Sequence, residues 1–183
     1  AEIKAKYSLP DKFIVSVGTI EERKNLLSVV KSLLLLPDDI HLVAVGRRTK
    51  YTALVDKFVA ENHLEHRVHL LHGVPYVDLP AIYQCADVFA YMSLYEGFGI
   101  PILEAFHNNC PVCLSNASCF PEVAGDAAIY FNPNDAQSMQ DTLKELLSTS
   151  TLRDELRQKG VLRSKDYSLE RMVEQTCDVY RKL

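Results

Sequence analysis

Nothing in this 183-residue sequence is long and apolar enough to cross a membrane; runs such as Leu33–Leu36 fall far short of the ~20 residues a spanning helix needs. Positive charge is not in excess: 20 Lys and Arg stand against 24 Asp and Glu, for a net charge of −4, which argues against a nucleic-acid binder. The aromatics, among them Tyr7, Tyr51, Tyr76 and Tyr83, form no stacking platform with a basic stripe. The five cysteines, Cys85, Cys110, Cys113, Cys119 and Cys177, are too few and odd in number for a disulfide framework. Cys110 and Cys113 have C-x-x-C spacing, but zinc would want a second pair or nearby histidines. Pro111–Leu114 reads as a buried strand, so both are expected to be small core thiols, kept reduced as in the cytoplasm. Among the six histidines there is no H-x-x-x-H or H-E-x-x-H spacing. His63, His66, His69 and His72 recur every third residue, but Val68, Leu70 and Leu71 make the segment end in a strand, which would scatter the rings. No metal site is expected. A G-x-S-x-G elbow, a Walker A loop and a G-x-G-x-x-G fingerprint are all missing. No signal-peptide pattern opens the sequence, and a cytoplasmic location is expected.

What is present is an alternation of short apolar runs with helical patterns. Strands are predicted at Phe13–Val17, His41–Val45, Val68–Leu71, Val88–Tyr91, Pro111–Leu114 and Ile129–Phe131. Helices are predicted from Asn25 to about Leu36, Thr52 to Asn62, Asp78 to Cys85, and from Pro101 onward. After Asp135 the pattern is helical only: Asp135–Ser148, Thr151–Lys165 and Ser168–Leu183. The fold class that follows is α/β: a doubly wound, Rossmann-like parallel sheet of about six strands with a helical C-terminal tail. Residues 1–12 are polar, carry Pro10 and read as the remnant of a linker; residues 13–183 read as one domain.

In such a sheet ligands bind beyond the carboxyl ends of the strands. Gly18-Thr19-Ile20-Glu21-Glu22-Arg23-Lys24-Asn25, Gly46-Arg47-Arg48 and Tyr95–Pro101 all fall there. Arg23 and Lys24 precede a helix, where cations oppose the helix dipole, so they are misplaced unless an anion binds. The bland reading is a solvated pair on a turn. Glu96 and Glu104 lie eight positions apart, with Gly97, Gly99 and Pro101 between them. On one straight helix that spacing would be about 12 Å. The glycines and the proline instead predict a loop, a helix starting near Pro101 and Glu104 in its first turn. Both carboxylates are then expected in one pocket, beside the free N–H groups of the helix start, a setting for a phosphorylated sugar. Read blandly, Glu104 stabilises a helix dipole and Glu96 is a surface charge.

The segments GTIEERKNL, ADVFAYMSLYEGFGIPILEA and FPEVAGDAA resemble the retaining family 4 glycosyltransferases of GT-B fold, and Glu96…Glu104 matches that family's E-x7-E motif. The resemblance runs from about Phe13 to the end and implies the C-terminal, donor-binding half of a two-domain enzyme, whose N-terminal acceptor domain is absent from this chain. It implies that the loop from Gly18, with Arg23 and Lys24, holds the diphosphate of a nucleotide sugar. The backbone of Gly97, Phe98, Gly99 and Ile100 would meet phosphate and sugar hydroxyls. Glu104 would take the ribose, the backbone near Leu71 and His72 the base, and Glu96 the donor sugar as catalytic residue, leaving the bare diphosphate untouched. It implies transfer with retention, with no metal and no cofactor, to a glycan or lipid-linked acceptor. For a whole enzyme the resemblance also fits the inner face of a membrane. The style of the loops favours GDP-mannose and polysaccharide assembly. Two positions depart from the family pattern: Thr19 where Arg is common, and Asn109 where Gly is common. Two rival readings stand beside this one: a non-catalytic nucleotide-diphosphate-binding module, and a glycosidase acid/nucleophile pair. The second needs carboxyl groups about 5–5.5 Å apart and has no use for a phosphate cradle.

Overall fold

The computed structural model describes residues 2–133 and 135–182. Ala1 and Leu183, the outer ends of the expected linker and last helix, lie outside the described residues.

Six strands alternate with helices: α1 (Glu2–Lys6), β1 (Phe13–Val17), α2 (Leu26–Ser32), β2 (His41–Val45), α3 (Thr52–Glu61), β3 (Val68–Leu71), α4 (Leu79–Cys85), β4 (Val88–Tyr91), α5 (Ile100–His107), β5 (Val112–Ser115), α6 (Phe120–Ala124) and β6 (Ala128–Phe131). α7 (Ala136–Ser148), α8 (Ser150–Ser164) and α9 (Leu169–Arg181) close the chain. All strand pairs are parallel, in the order β3-β2-β1-β4-β5-β6. The direction of winding reverses between β1 and β4, which opens a crevice above their carboxyl ends.

The central strands are mostly apolar because both their faces are buried, whereas the edge strand β3 is half-buried throughout. Phe13, Val15, Val43, Val45, Phe89, Tyr91, Val112 and Leu114 pack on one face. Ile14, Leu42, Ala44, Val88, Ala90 and Cys113 pack on the other. Burial pushes the Cys110 and Cys113 thiols well above their usual range, so both are inert core groups.

Four expectations need correction. The helix expected from Asn25 to Leu36 is split: a 3-10 turn at Glu22–Lys24, then Asn25 in the left-handed region with φ 53°, then α2, then a 3-10 turn at Leu33–Leu35. Asn tolerates that geometry, and its Oδ1 accepts from Ser28 Oγ at 2.6 Å. Second, α5 begins at Ile100, so its first turn is Ile100–Leu103 and Glu104 sits in the second turn. Third, α6 was not expected; Pro121 stands in its first turn. Fourth, the stretch read as a linker remnant packs on the domain: α1 is helical, Leu9 is buried, and Lys6 pairs with Asp78 at 2.6 Å. α8 grips α5 through Gly160, where an added Cβ would meet Phe106 at 2.6 Å. α9 buries none of its residues; Leu169, Met172, Val173, Val179 and Tyr180 are all exposed. Among the described residues, no helix is long and apolar enough to cross a membrane.

Candidate functional site

The loop leaving β1 begins at Gly18, whose φ of 134° favours glycine and whose missing side chain leaves room for Lys24. A Cβ there would lie 3.3 Å from Lys24 Nζ. The 3-10 turn that follows raises Arg23 and Lys24 to the rim of the crevice. The loop leaving β4 is tied to it: Leu94 N–H donates to Arg23 O at 2.8 Å, and Arg23 Nη1 donates to Tyr95 O at 3.1 Å.

Charge concentrates where these loops meet. Glu96 Oε1 lies 2.8 Å from Arg23 Nη1 and 2.6 Å from Lys24 Nζ. These are ion-pair contacts onto one buried oxygen rather than well-directed hydrogen bonds. Arg23 Nη2 also meets Glu21 Oε1 at 2.7 Å. Burial alone would raise the Glu96 carboxyl; Lys24, Arg23 and Ser93 outweigh it and hold the group below the usual carboxylate range. Glu96 is therefore an anion at neutral pH. Its partner Arg23 is pushed up, first by that same carboxylate.

Lys24 has a further partner. Its Nζ donates to Tyr91 Oη at 2.6 Å and stands 4.7 Å from the ring centroid. Tyr91 is the last residue of β4 and 2% exposed; burial, then the nearby Glu96 charge, pushes its phenol far up, so it stays protonated. Ser118 and Cys119, in the loop after β5, fix the backbone of the glutamate loop. Glu96 N–H donates to Ser118 Oγ at 3.1 Å, Ser118 Oγ donates to Glu96 O at 2.7 Å, and Cys119 Sγ lies 3.1 Å from Phe98 O.

Gly97 is exposed with open space around it, and Phe98 and Ile100 are exposed. Gly99 caps α5 in the left-handed region with φ 94°. The expected row of free N–H groups at the helix start is not there: Pro101 carries none, and Ile102 N–H donates to Gly99 O at 2.8 Å. Leu71 ends β3, and its carbonyl accepts from Gly46 N at 3.0 Å. His72 is exposed, with Nδ1 2.6 Å from Gly46 O.

Glu104 has partners of its own, different from those of Glu96. Its Oε1 accepts from Tyr76 Oη at 3.3 Å and its Oε2 from Tyr83 Oη at 3.1 Å. It lines a cavity of about 160 Å³ with Tyr76, Leu79, Pro80, Tyr83, His107 and Asn108. With Ile100 as first residue of the helix, Glu104 lies one turn past its start and meets Tyr83 of α4. Gly18, Arg23, Lys24, Glu96 and the 97–100 backbone thus gather at one rim, and Glu104 is held by Tyr76 and Tyr83. Tyr91, Ser118 and Cys119 were not anticipated. A tyrosine ending a strand and a Ser-Cys pair in a loop carry no spacing signal; only tertiary packing brings them here.

The family model for glycosyl transferases group 1 matches residues 1–163. The O-antigen chain mannosyltransferase B of Escherichia coli is 33% identical over 183 residues, covering 97% of this chain and 48% of that protein. The O-antigen chain mannosyltransferase RfbU of Salmonella typhimurium is 34% identical over 136 residues, covering 74% of this chain and 38% of that protein. The chain thus spans about half or less of the length of these relatives. Among solved structures, the C-terminal domain of a glycosyl transferase group 1 family protein (LpcC) from Francisella tularensis superposes with a TM-score of 0.80 at 23% identity, covering 92% of each chain.

Proposed function

This chain belongs to the group 1 glycosyl transferases, and on that premise we propose that it is the donor-binding half of a retaining hexosyltransferase with an E-x7-E pair at Glu96 and Glu104. The donor is a nucleoside diphosphate sugar. The mannosyltransferase relatives favour GDP-mannose, with a glycan or lipid-linked sugar as acceptor in polysaccharide assembly. The observation that carries the reading is that Arg23 and Lys24 stand together at the carboxyl end of β1, both held on the single Glu96 oxygen at 2.8 and 2.6 Å, so that two cations are in place for an incoming anion. Two fixed cations can stabilise a leaving diphosphate electrostatically, the task a metal ion serves elsewhere. The backbone of Gly97, Phe98, Gly99 and Ile100 suits phosphate and sugar oxygens. Glu104, held by two phenols, suits the ribose, and the backbone at Leu71 and His72 suits the base. Glu96 is the catalytic candidate beside the sugar. The whole enzyme is proposed to work in the cytoplasm, at the inner face of the membrane, with an N-terminal acceptor domain as partner.

Calorimetric titration with GDP, UDP and ADP, with and without EDTA, tests the reading. Binding in the micromolar to millimolar range that survives EDTA is expected. Lys24→Ala should weaken it about ten- to hundredfold, the size of a lost hydrogen bond to a charged group. Absence of binding to all three at millimolar concentration would end the proposal, and a strict Mg²⁺ requirement would end its metal-free part.

A further inference from the structure

Four charges meet at the crevice rim and sum to zero: Arg23 and Lys24 against Glu21 and Glu96. The two carboxylates are not equivalent. Glu21 is about one-third exposed and touches Arg23 alone. Glu96 is 10% exposed and sets a single oxygen against both cations. A diphosphate brought to Arg23 and Lys24 would meet that oxygen as a like charge at close range. The cost of such a clash in a partly dry site is several times its value in water. Protonation offers no escape near neutral pH, because the same cations hold the Glu96 carboxyl down.

We infer that Glu96 competes with the diphosphate for Arg23 and Lys24, and so makes this site prefer a nucleotide that carries its sugar over the bare nucleotide. This rests on the reading that the two cations take a diphosphate. The backbone of Glu96 is pinned by Ser118, so the carboxylate yields by rotating about its own side-chain bonds. Lys24 does not follow, because Tyr91 Oη holds its Nζ from the strand. A carboxylate moved off two cations needs donors in exchange. The hydroxyls of a hexose beside Glu96 supply them; a bare nucleoside diphosphate does not. The penalty then falls on the spent nucleotide and favours its release.

The test is calorimetry on the folded chain with GDP against GDP-mannose and UDP against UDP-glucose, for wild type, Glu96→Gln and Glu21→Gln, with circular dichroism as the folding check. Glu96→Gln should tighten bare-nucleotide binding about tenfold, as expected when a charge-assisted contact no longer has to be broken. It should tighten the sugar nucleotide less or weaken it, so the ratio of the two affinities falls. Glu21→Gln, which removes a similar charge with no sugar to face, should leave that ratio unchanged. Glu96→Ala serves as second variant should the glutamine form not fold. Bare-nucleotide affinity unchanged or weakened in the Glu96 variants overturns the inference while leaving the nucleotide-binding reading intact. An equal change of ratio in Glu21→Gln overturns it as well. No binding of any nucleotide by wild type or variants removes both.

Discussion

Gly46 is pressed against Gly18: a Cβ added to Gly46 would lie 1.8 Å from the Gly18 carbonyl oxygen. The contact ties the loop after β2 to the loop that carries Arg23 and Lys24. It is reinforced by Gly18 N–H donating to Val45 O and Ile20 N–H to Arg47 O, both at 2.9 Å. The obstruction is backbone, so no side chain can swing aside to relieve it. Gly46→Ala should therefore destabilise the domain by at least about 3 kcal/mol, the upper part of the range for overpacking. For a domain of this size that is a loss of about 6–12 °C in melting temperature. A melting temperature within 2 °C of wild type, as ~0.5 kcal/mol would give, would show that the loops part freely.

Glu104 is held by Tyr76 and Tyr83, whereas Arg23 and Lys24 meet Glu96, so on the proposed reading their ligands should be separable. Glu104→Ala should weaken GDP or UDP binding and leave inorganic pyrophosphate binding as it was, because the proposed partner of Glu104 is the ribose. Lys24→Ala should weaken both. The Glu104 variant also leaves the Tyr83 phenol, 1% exposed, without its acceptor. A stability cost of about 1–3 kcal/mol is expected for such a group. Equal losses for nucleotide and pyrophosphate in Glu104→Ala would show that the division of roles is wrong.

The centre of the sheet was legible because strands buried on both faces are mostly apolar. Phe13–Val17, His41–Val45 and Val88–Tyr91 were read with their observed limits, and so was the half-buried edge strand Val68–Leu71. Helix limits were less so. The helix expected from Asn25 starts one residue later, at Leu26, and nothing local announces the left-handed turn at Asn25 or the 3-10 turns on either side of α2. At the site, the loops and their charged residues were legible from glycines and from cations set against a dipole. The partners were not. That Glu96 lies on Lys24, that Tyr91 holds Lys24, and that Ser118 pins Glu96 are contacts between loops distant in sequence. They follow from strand order, which no local pattern states.

The threefold histidine spacing scattered as expected in part, yet one pair formed with a ring from the neighbouring strand. His41 Nδ1 and His69 Nε2 lie 3.1 Å apart, with stacked rings. Burial lowers both pKa values from 6.5; Arg67 and His66 add to this at His41, against Asp39, and His41 adds to it at His69. A histidine with a depressed folded pKa takes up a proton more readily when unfolded. Its contribution to stability is thus complete above about pH 6.5 and falls as the pH drops through that value. The melting temperature should decline between pH 7.5 and pH 5.5, and His69→Gln should flatten the decline. An identical slope in wild type and variant would assign the pH response elsewhere.

The chain by itself should not transfer sugar. Tyr76, Val77, Tyr95, Phe98 and Ile100 are exposed around the carboxyl edge of the sheet, and Leu169, Met172, Val173, Val179 and Tyr180 are exposed on α9. Apolar groups gathered this way mark surfaces meant to be covered. Transfer needs donor and acceptor held in attack geometry, which supplies a large share of the rate, and closure that keeps water from the donor. On the proposed reading, the rim of cations and amides binds the donor, and the acceptor is held by a partner domain. Weak self-association through α9 is expected in its place, visible as a concentration-dependent sedimentation coefficient and reduced by Met172→Glu with Val173→Lys. Incubation with GDP-mannose or UDP-glucose and candidate glycan or lipid-linked acceptors should yield no glycosylated product. Turnover comparable to that of a full-length relative would show that these 183 residues hold a complete active site, and the half-enzyme reading would have to be abandoned.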